Sequence, residues 1–312
     1  MKYKFKKVFI LILLIFILFE FIVDFELIVK SVNFSFNLCF KNLFPSLYPM
    51  IILSSLLIEY DLNVITSFIL KPIMNKIFRI NKICGQVLVL SMLSGSPSNA
   101  KYINLLYNKN LITKEEATKT LFFTHFVNPI FILSTVGIIF LNNKKLGIII
   151  LISHYLGNFI VGFLFRNYNK NFKNTNYCIT NNKSNNFIFT LTNIIYDTTN
   201  TLFIIIGIIT CSIIFSKIFL NVINLNNIFG DILCGLIEMT QGLKYISTYN
   251  INELTKVIIY TFLISFGGFS IHMQVMSVLN KIKIRYLPYF CARITHGIIS
   301  SIIVFILYTK VC

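Results

Sequence analysis

The stretch ICGQVLVLSMLSGSPSNAKYINLLY, residues 83–107, decides the fold. It is apolar and long enough to enter a bilayer, yet its middle reads Ser94-Gly95-Ser96-Pro97-Ser98-Asn99-Ala100-Lys101. A helix broken there leaves backbone N–H and C=O groups unpaired. At membrane depth such backbone survives only where protein or a wet cavity satisfies it. The stretch therefore predicts a re-entrant hairpin, entering and leaving on one side. A second interrupted stretch, NIFGDILCGLIEMTQGLKYISTY at 227–249, is broken around Gly235-Leu236-Ile237-Glu238-Met239-Thr240-Gln241-Gly242 and predicts another.

Around them lie apolar runs of about 20 residues, each able to cross a hydrocarbon core of about 30 Å. We read spans at 8–29, 40–59, 118–140, 146–166, 189–217, 255–279 and 286–308. Of the 312 residues, 56% are hydrophobic and 12% charged, and the mean hydropathy is +0.77. Soluble domains carry about 25% charged residues, so a water-facing surface cannot be covered. The expectation is an all-α polytopic membrane protein of about seven transmembrane helices plus two re-entrant hairpins. The first run follows Lys2, Lys4, Lys6 and Lys7, as in a signal peptide, but Glu20, Asp24 and Glu26 come where a small-residue cleavage site would stand. It is read as an uncleaved anchor helix.

The net charge of +17 raises nucleic acid as a partner. The lysines, however, lie in segments between spans, where they are an orientation signal. A cytoplasmic N-terminus puts 19 basic residues inside and eight outside, with Arg293 within a span. The expected location is a multi-pass plasma-membrane protein, with no nucleic-acid partner. Seven cysteines show no CxxC pair and no metal-ligand spacing, so neither a disulfide framework nor a metal is expected.

The halves echo one another. Gly85-Gln86-Val87-Leu88, then a broken segment and Lys101-Tyr102-Ile103, is matched by Gly230-Asp231-Ile232-Leu233 and Lys244-Tyr245-Ile246. Each is followed by an interrupted span (Asn128-Pro129, Gly267-Gly268) and a closing span with a histidine and glycine (His154 and Gly157, His296 and Gly297). The division expected is an anchor at 1–37, repeats at 38–166 and 189–312, and a cytoplasmic connector at 167–188. Hairpins opening to opposite faces make an inverted repeat, a plan of secondary transporters with the site where the halves meet.

Ser94, Ser96, Ser98 and Asn99, with Gly95 allowing close backbone approach, can coordinate a polar solute or ion. The same groups can equally bond the hairpin's own broken backbone. Glu238, beside Thr240 and Gln241, costs about 2.5–3.5 kcal/mol at the bilayer centre on insertion scales. It therefore needs a partner, with Lys101 or a bound cation as candidates. Asn128 is a further candidate contact. Arg293 is expected to snorkel or to pair with Asp197, and Pro45 and Pro49 to kink their helix. His125, His154, His272 and His296 fall in spans without metal spacing, so packed, hydrogen-bonded histidines are expected. No Walker A, GxSxG, HExxH or Rossmann motif occurs, so no enzyme and no cofactor are expected. The expected partners are the lipid bilayer and a small polar solute or ion; a homo-oligomer is compatible with the sequence.

Five motifs in order, Leu43-Phe44-Pro45-Ser46-Leu47-Tyr48-Pro49, Ser94–Lys101, Asn128-Pro129-Ile130-Phe131, His154-Tyr155-Leu156-Gly157-Asn158 and Gly235–Gly242, resemble the YlbJ family of sporulation integral membrane proteins. The resemblance covers roughly 38–305. It implies membership of the nucleoside-recognition, or Gate, domain group, which includes the spore maturation proteins A and B and ferrous-iron transporter B. It further implies a transport-like fold and a role in endospore cortex formation. The family's hairpin motifs land on Ser94–Lys101 and Gly235–Gly242, with Ser96 where an aromatic is usual and Gln241 where Asn is expected. A non-transporting membrane scaffold for envelope or cortex assembly is the competing reading.

Overall fold

A single helix satisfies its own backbone in lipid, and the apolar runs are accordingly mostly helical. The computed structural model describes residues 2–60, 62–168, 186–225 and 227–311, among which there is no strand. Most of the expected connector lies outside these residues.

Helix α1 (Lys2–Val23) ends at Asp24, whose carboxylate accepts the Leu27 amide at 3.0 Å and so starts α2 (Phe25–Glu59). The expected span 8–29 is thus divided at Asp24, and the next begins at Phe25 rather than 40. Polar residues 30–37 are helical because Ser31 bonds back to Leu27 O and Ser35 reaches Thr210. Within α2, a π-wound turn at Cys39–Leu43 precedes Pro45. Proline removes an N–H and crowds the preceding turn, and Ser46 Oγ returns a donor to Asn42 O and Leu43 O.

Helices α3 (Leu62–Ile69), α4 (Gly85–Ser94) and α5 (Ser98–Asn108) follow. Then come α6 (Lys114–Phe123), the π-wound α7 (Phe131–Phe140) and α8 (Lys144–Leu164). A capping box starts α6: Thr113 Oγ1 accepts the Glu116 amide and Glu116 accepts the Thr113 amide. The expected span 118–140 is not one helix, since non-helical residues 124–128 interrupt it between α6 and α7. The second half holds α9 (Phe187–Ile223), α10 (Ile228–Ile237) and α11 (Met239–Ser247). It closes with α12 (Glu253–Phe266), α13 (Gly268–Val278) and α14 (Tyr286–Val311). Among the described residues, five helices are long and apolar enough to cross a membrane: Phe25–Glu59, Lys144–Asn167, Phe187–Ile223, Glu253–Val278 and Tyr286–Val311.

Helices α2 and α9 run antiparallel along their length. Asp24 meets Asn221, Ser35 meets Thr210 at 2.7 Å, Tyr48 meets Thr199 and the Tyr60 ring faces Phe187. Cys39, Leu47 and Ile51 pack there against Leu202, Ile205, Ile206, Ile209 and Ile213. The larger core is built on α8, α12 and α14, which pack on one another and against α6 and α7. Outward, residues such as Phe68 (84% exposed) and Ile22 (74%) present an apolar surface suited to lipid.

Both interrupted stretches fold back on themselves. Tyr102 on α5 donates to Ser94 Oγ on α4 at 3.2 Å. Between α10 and α11, a Cβ on Gly235 would lie 3.4 Å from Gly242 Cα. The order long helix, folded-back pair, broken helix, closing helix therefore occurs twice, as α2–α8 and α9–α14.

A side chain at Gly242 would strike the Gly235 backbone, and overpacking of that kind costs about 1–3 kcal/mol. Gly242→Val is expected to lower the melting temperature in detergent by several degrees. Gly207→Val, where nothing lies within 4 Å of the added Cβ, should leave it unchanged. Equal melting of the two variants would contradict this packing.

Candidate functional site

Four breaks in the helices meet inside the bundle: Gly95–Pro97 between α4 and α5, 124–128 between α6 and α7, Glu238 between α10 and α11, and Gly267 between α12 and α13. Gly95 has φ +78°, and a Cβ there would sit 2.6 Å from Asn128 N, so glycine is required for the first turn to pass the second break. Ser96 N then donates to Phe126 O at 2.6 Å.

The break at 124–128 strips several backbone groups of their helical partners, and side chains supply replacements. Asn158 Nδ2 donates to His125 O at 2.7 Å, and Val127 N donates to His154 Nε2 at 3.0 Å. Arg293 Nη2 donates to Phe122 O. Asn128 Oδ1 accepts the Ile130 and Phe131 amides, capping α7, while its Nδ2 donates to Ser46 O at 3.1 Å. In the second half, His272 Nε2 lies 2.9 Å from Phe266 O, next to the Gly267 break.

These contacts fix the histidine tautomers, because a carbonyl only accepts and an amide N–H only donates. His154 accepts at Nε2, so in its neutral form Nδ1–H donates to Ser265 Oγ at 2.9 Å. His296 Nε2–H donates to His154 O at 2.9 Å, leaving Nδ1 to accept from Arg293 Nη1 at 3.0 Å. His272 donates from Nε2, and its Nδ1 accepts from Tyr286 at 3.1 Å. His125 Nδ1 is 3.2 Å from Ser96 Oγ and 3.1 Å from Tyr289 OH, while its Nε2 has no hydrogen-bond partner among the described residues.

Arg293 is fully buried. It neither snorkels nor pairs with Asp197; Phe122 O, Asn158 Oδ1 and His296 Nδ1 hold it. The physical reason is that the broken α6–α7 backbone offers free acceptors deep in the bundle, and a guanidinium has donors enough for several of them.

Where the two folded-back pairs meet, a cavity of about 40 Å³ remains. Ser96, Pro97 and Asn128 line it from one half, and Glu238, Met239, Thr240, Ile271 and Gln274 from the other. Leu43, Leu47, Val127, Phe131, Ile205 and Ile209 complete an apolar wall. About 10–15 Å³ of such space is needed for one water, so the cavity has room for a few waters or a small ion.

Of the residues singled out from the sequence, Ser96, Asn128, Glu238 and Thr240 come together here. The others stand back. Ser94 Oγ donates to Leu90 O, Asn99 Nδ2 contacts Thr124 Oγ1 at 3.5 Å, and Gly95 serves the turn. Ser98 is buried without reaching the cavity wall. Gln241 Oε1 accepts from Ser216 at 2.8 Å. Glu238 makes no salt bridge with Lys101; its carboxylate accepts from Thr240 Oγ1 at 2.8 Å and the Gln241 amide at 2.7 Å, capping α11. Gln274 was not foreseen, although an amide inside the apolar run 268–278 is a signal of the same kind as Asn128. Among the described residues no group of three or more His, Cys, Asp and Glu is placed to hold a metal.

The chain is 30% identical over 293 residues to the sporulation integral membrane protein YlbJ of Bacillus subtilis (strain 168), covering 82% of this chain and 72% of the relative. No protein-family model matches it, and no solved structure does.

Arg293→Lys keeps the charge but loses the fork that joins Phe122 O to the Asn158–His296 pair. Each buried acceptor left without a donor costs about 1–3 kcal/mol, so this variant is expected to melt well below the wild type in detergent. Melting at the wild-type temperature would show that the network does not hold the break together.

Proposed function

The chain belongs to the YlbJ family of sporulation integral membrane proteins, and we propose that within it the chain serves spore cortex formation by moving a small polar solute or ion through the site between its two folded-back helix pairs. In this reading the pairs α4–α5 and α10–α11 are re-entrant hairpins of the Gate type, opening to opposite faces of the plasma membrane. Segments 38–166 and 189–312 form an inverted repeat, with the N-terminus cytoplasmic.

One observation carries the reading: the tips of both pairs end on the same buried cavity, and polar groups from each half (Ser96 and Asn128, Glu238 and Thr240) line it. Helices that stop at mid-bundle with polar ends around a cavity are the pattern of secondary transporters. The antiparallel course of α2 and α9 is what two oppositely oriented repeats require. A scaffold needs neither the breaks nor the cavity, and breaks in lipid are costly without a use.

The test is uptake by proteoliposomes of the purified full chain, offered labelled nucleosides, amino acids, cations and anions. Wild-type protein should take up one class. Ser96→Leu and Thr240→Leu, which fill the cavity, should each cut the rate about tenfold or more, or about 1.4 kcal/mol in the barrier, at equal reconstitution. Absence of uptake across the whole panel, or variants as fast as wild type, would rule the proposal out.

A further inference from the structure

We propose that a cleft at one end of the bundle, between the start of α2, the end of α9 and the turn after α11, holds the headgroup of a phospholipid that carries a primary ammonium beside its phosphate.

The cleft has two lobes, of about 430 and 330 Å³, and Leu27, Lys217 and Tyr245 line both. Lys217 on α9 is half-buried there, its Nζ 4.2 Å from the centre of the Tyr245 ring. The Phe34 ring, 5.5 Å from that of Tyr245, carries a second ammonium, Lys244 Nζ, at 4.7 Å. Stacking on a ring steadies a cation without neutralising it, and among the described residues neither lysine forms an ion pair. Two positive charges, from α9 and α11, are thus held beside one aromatic wall without a counter-charge. An ammonium can only donate, so what this wall lacks is an anionic acceptor.

The rest of the cleft has the opposite character. Glu26 is spent on Lys30 at 2.6 Å, and Asp24 caps α2. Asp231 on α10, in the second lobe, is half-buried and its side chain makes one hydrogen bond, accepting from Tyr249 OH at 2.8 Å. Lys256 donates to the Ser247 and Tyr249 carbonyls instead. A carboxylate has about four acceptor sites, so Asp231 has room for an ammonium. A bare phosphate would find Lys217 but also face Asp24 and Asp231. A ligand with both charges satisfies both sides, its phosphate on Lys217 and its ammonium on Asp231.

The surroundings favour a lipid over a free zwitterion. Exposed apolar side chains stand within two residues of the charged ones: Ile22, Val23 and Phe25 around Asp24, Phe219 after Lys217, and Phe229 before Asp231. Lysines and tyrosines at the edge of an apolar belt stand at the depth of lipid headgroups, and the acyl chains would lie against that belt. A lipid so placed would tie α9 to α10, and with it the long antiparallel pair to the second folded-back pair.

The experiment titrates the purified full chain in detergent with short-chain phosphatidylethanolamine, phosphatidylcholine and phosphatidylglycerol, and counts bound lipid by native mass spectrometry. Phosphatidylethanolamine should bind about tenfold more tightly than the other two, which lack ammonium N–H donors. Lys217→Gln and Asp231→Asn should each weaken it about tenfold, the loss of one hydrogen bond between charged groups, and so abolish the preference. Lys217→Arg, which keeps the charge, should bind as wild type does. Equal binding of the three lipids, or an undiminished preference in both Lys217→Gln and Asp231→Asn, overturns the proposal, as does loss of binding in Lys217→Arg while that variant melts at the wild-type temperature. Free phosphoethanolamine and inorganic phosphate are added as competitors. Displacement of the lipid by either at equal concentration would make the occupant a soluble ion and overturn the assignment to a lipid; no displacement supports it.

Discussion

A helix that stops inside a membrane must find new partners for the backbone groups it frees, and this molecule is organised around that requirement. The break between α6 and α7 is answered from three directions: by Ser96 on the first folded-back pair, by His154 and Asn158 on α8, and by Arg293 on α14. Because α8 and α14 are continuous helices packed on each other, the replacement donors and acceptors sit on rigid supports. The break is thereby held as a defined turn rather than a frayed end, and its open side is free to face a cavity.

The same logic explains how the histidines are used. His154, His272 and His296 each spend one ring nitrogen on a backbone group and the other on a side chain. A neutral ring with one donor and one acceptor suits this task in a dry interior. They bind the two halves together, since His154 from the first half reaches Ser265 and His296 from the second. The polar centre is therefore largely scaffold, and the polar residues on the cavity wall are Ser96, Asn128, Glu238, Thr240 and Gln274.

Much of this was legible in the sequence because polar interruptions stand out against apolar runs. Ser94–Lys101 and Gly235–Gly242 marked the two turns, and Glu238 marked the second cavity edge. The helix start at Asp24 was hidden, since a capping side chain resembles any other polar residue until its amide partner is seen. The role of Arg293 was hidden because Phe122, whose carbonyl it meets, lies 171 residues away in the chain. The apolar wall of Leu43, Leu47, Ile205 and Ile209 could not be told from core by composition. Within each pair, the sequence pattern located the interruption but not which of its residues turns toward the partner half: Ser96 does, while Ser94 and Ser98 do not.

The central claim is that the two turns, distant in sequence, meet at one cavity. It is tested most directly by cross-linking in membranes. The chain would have its seven native cysteines replaced, carry Ser96→Cys with Thr240→Cys, and hold a protease site inserted between residues 168 and 186. After treatment with a short thiol cross-linker and protease, the two fragments should stay joined. They should likewise stay joined in the control pair Ser35→Cys with Thr210→Cys, whose native hydroxyls are 2.7 Å apart. Fragments that separate for the Ser96–Thr240 pair while the control remains joined would contradict the account.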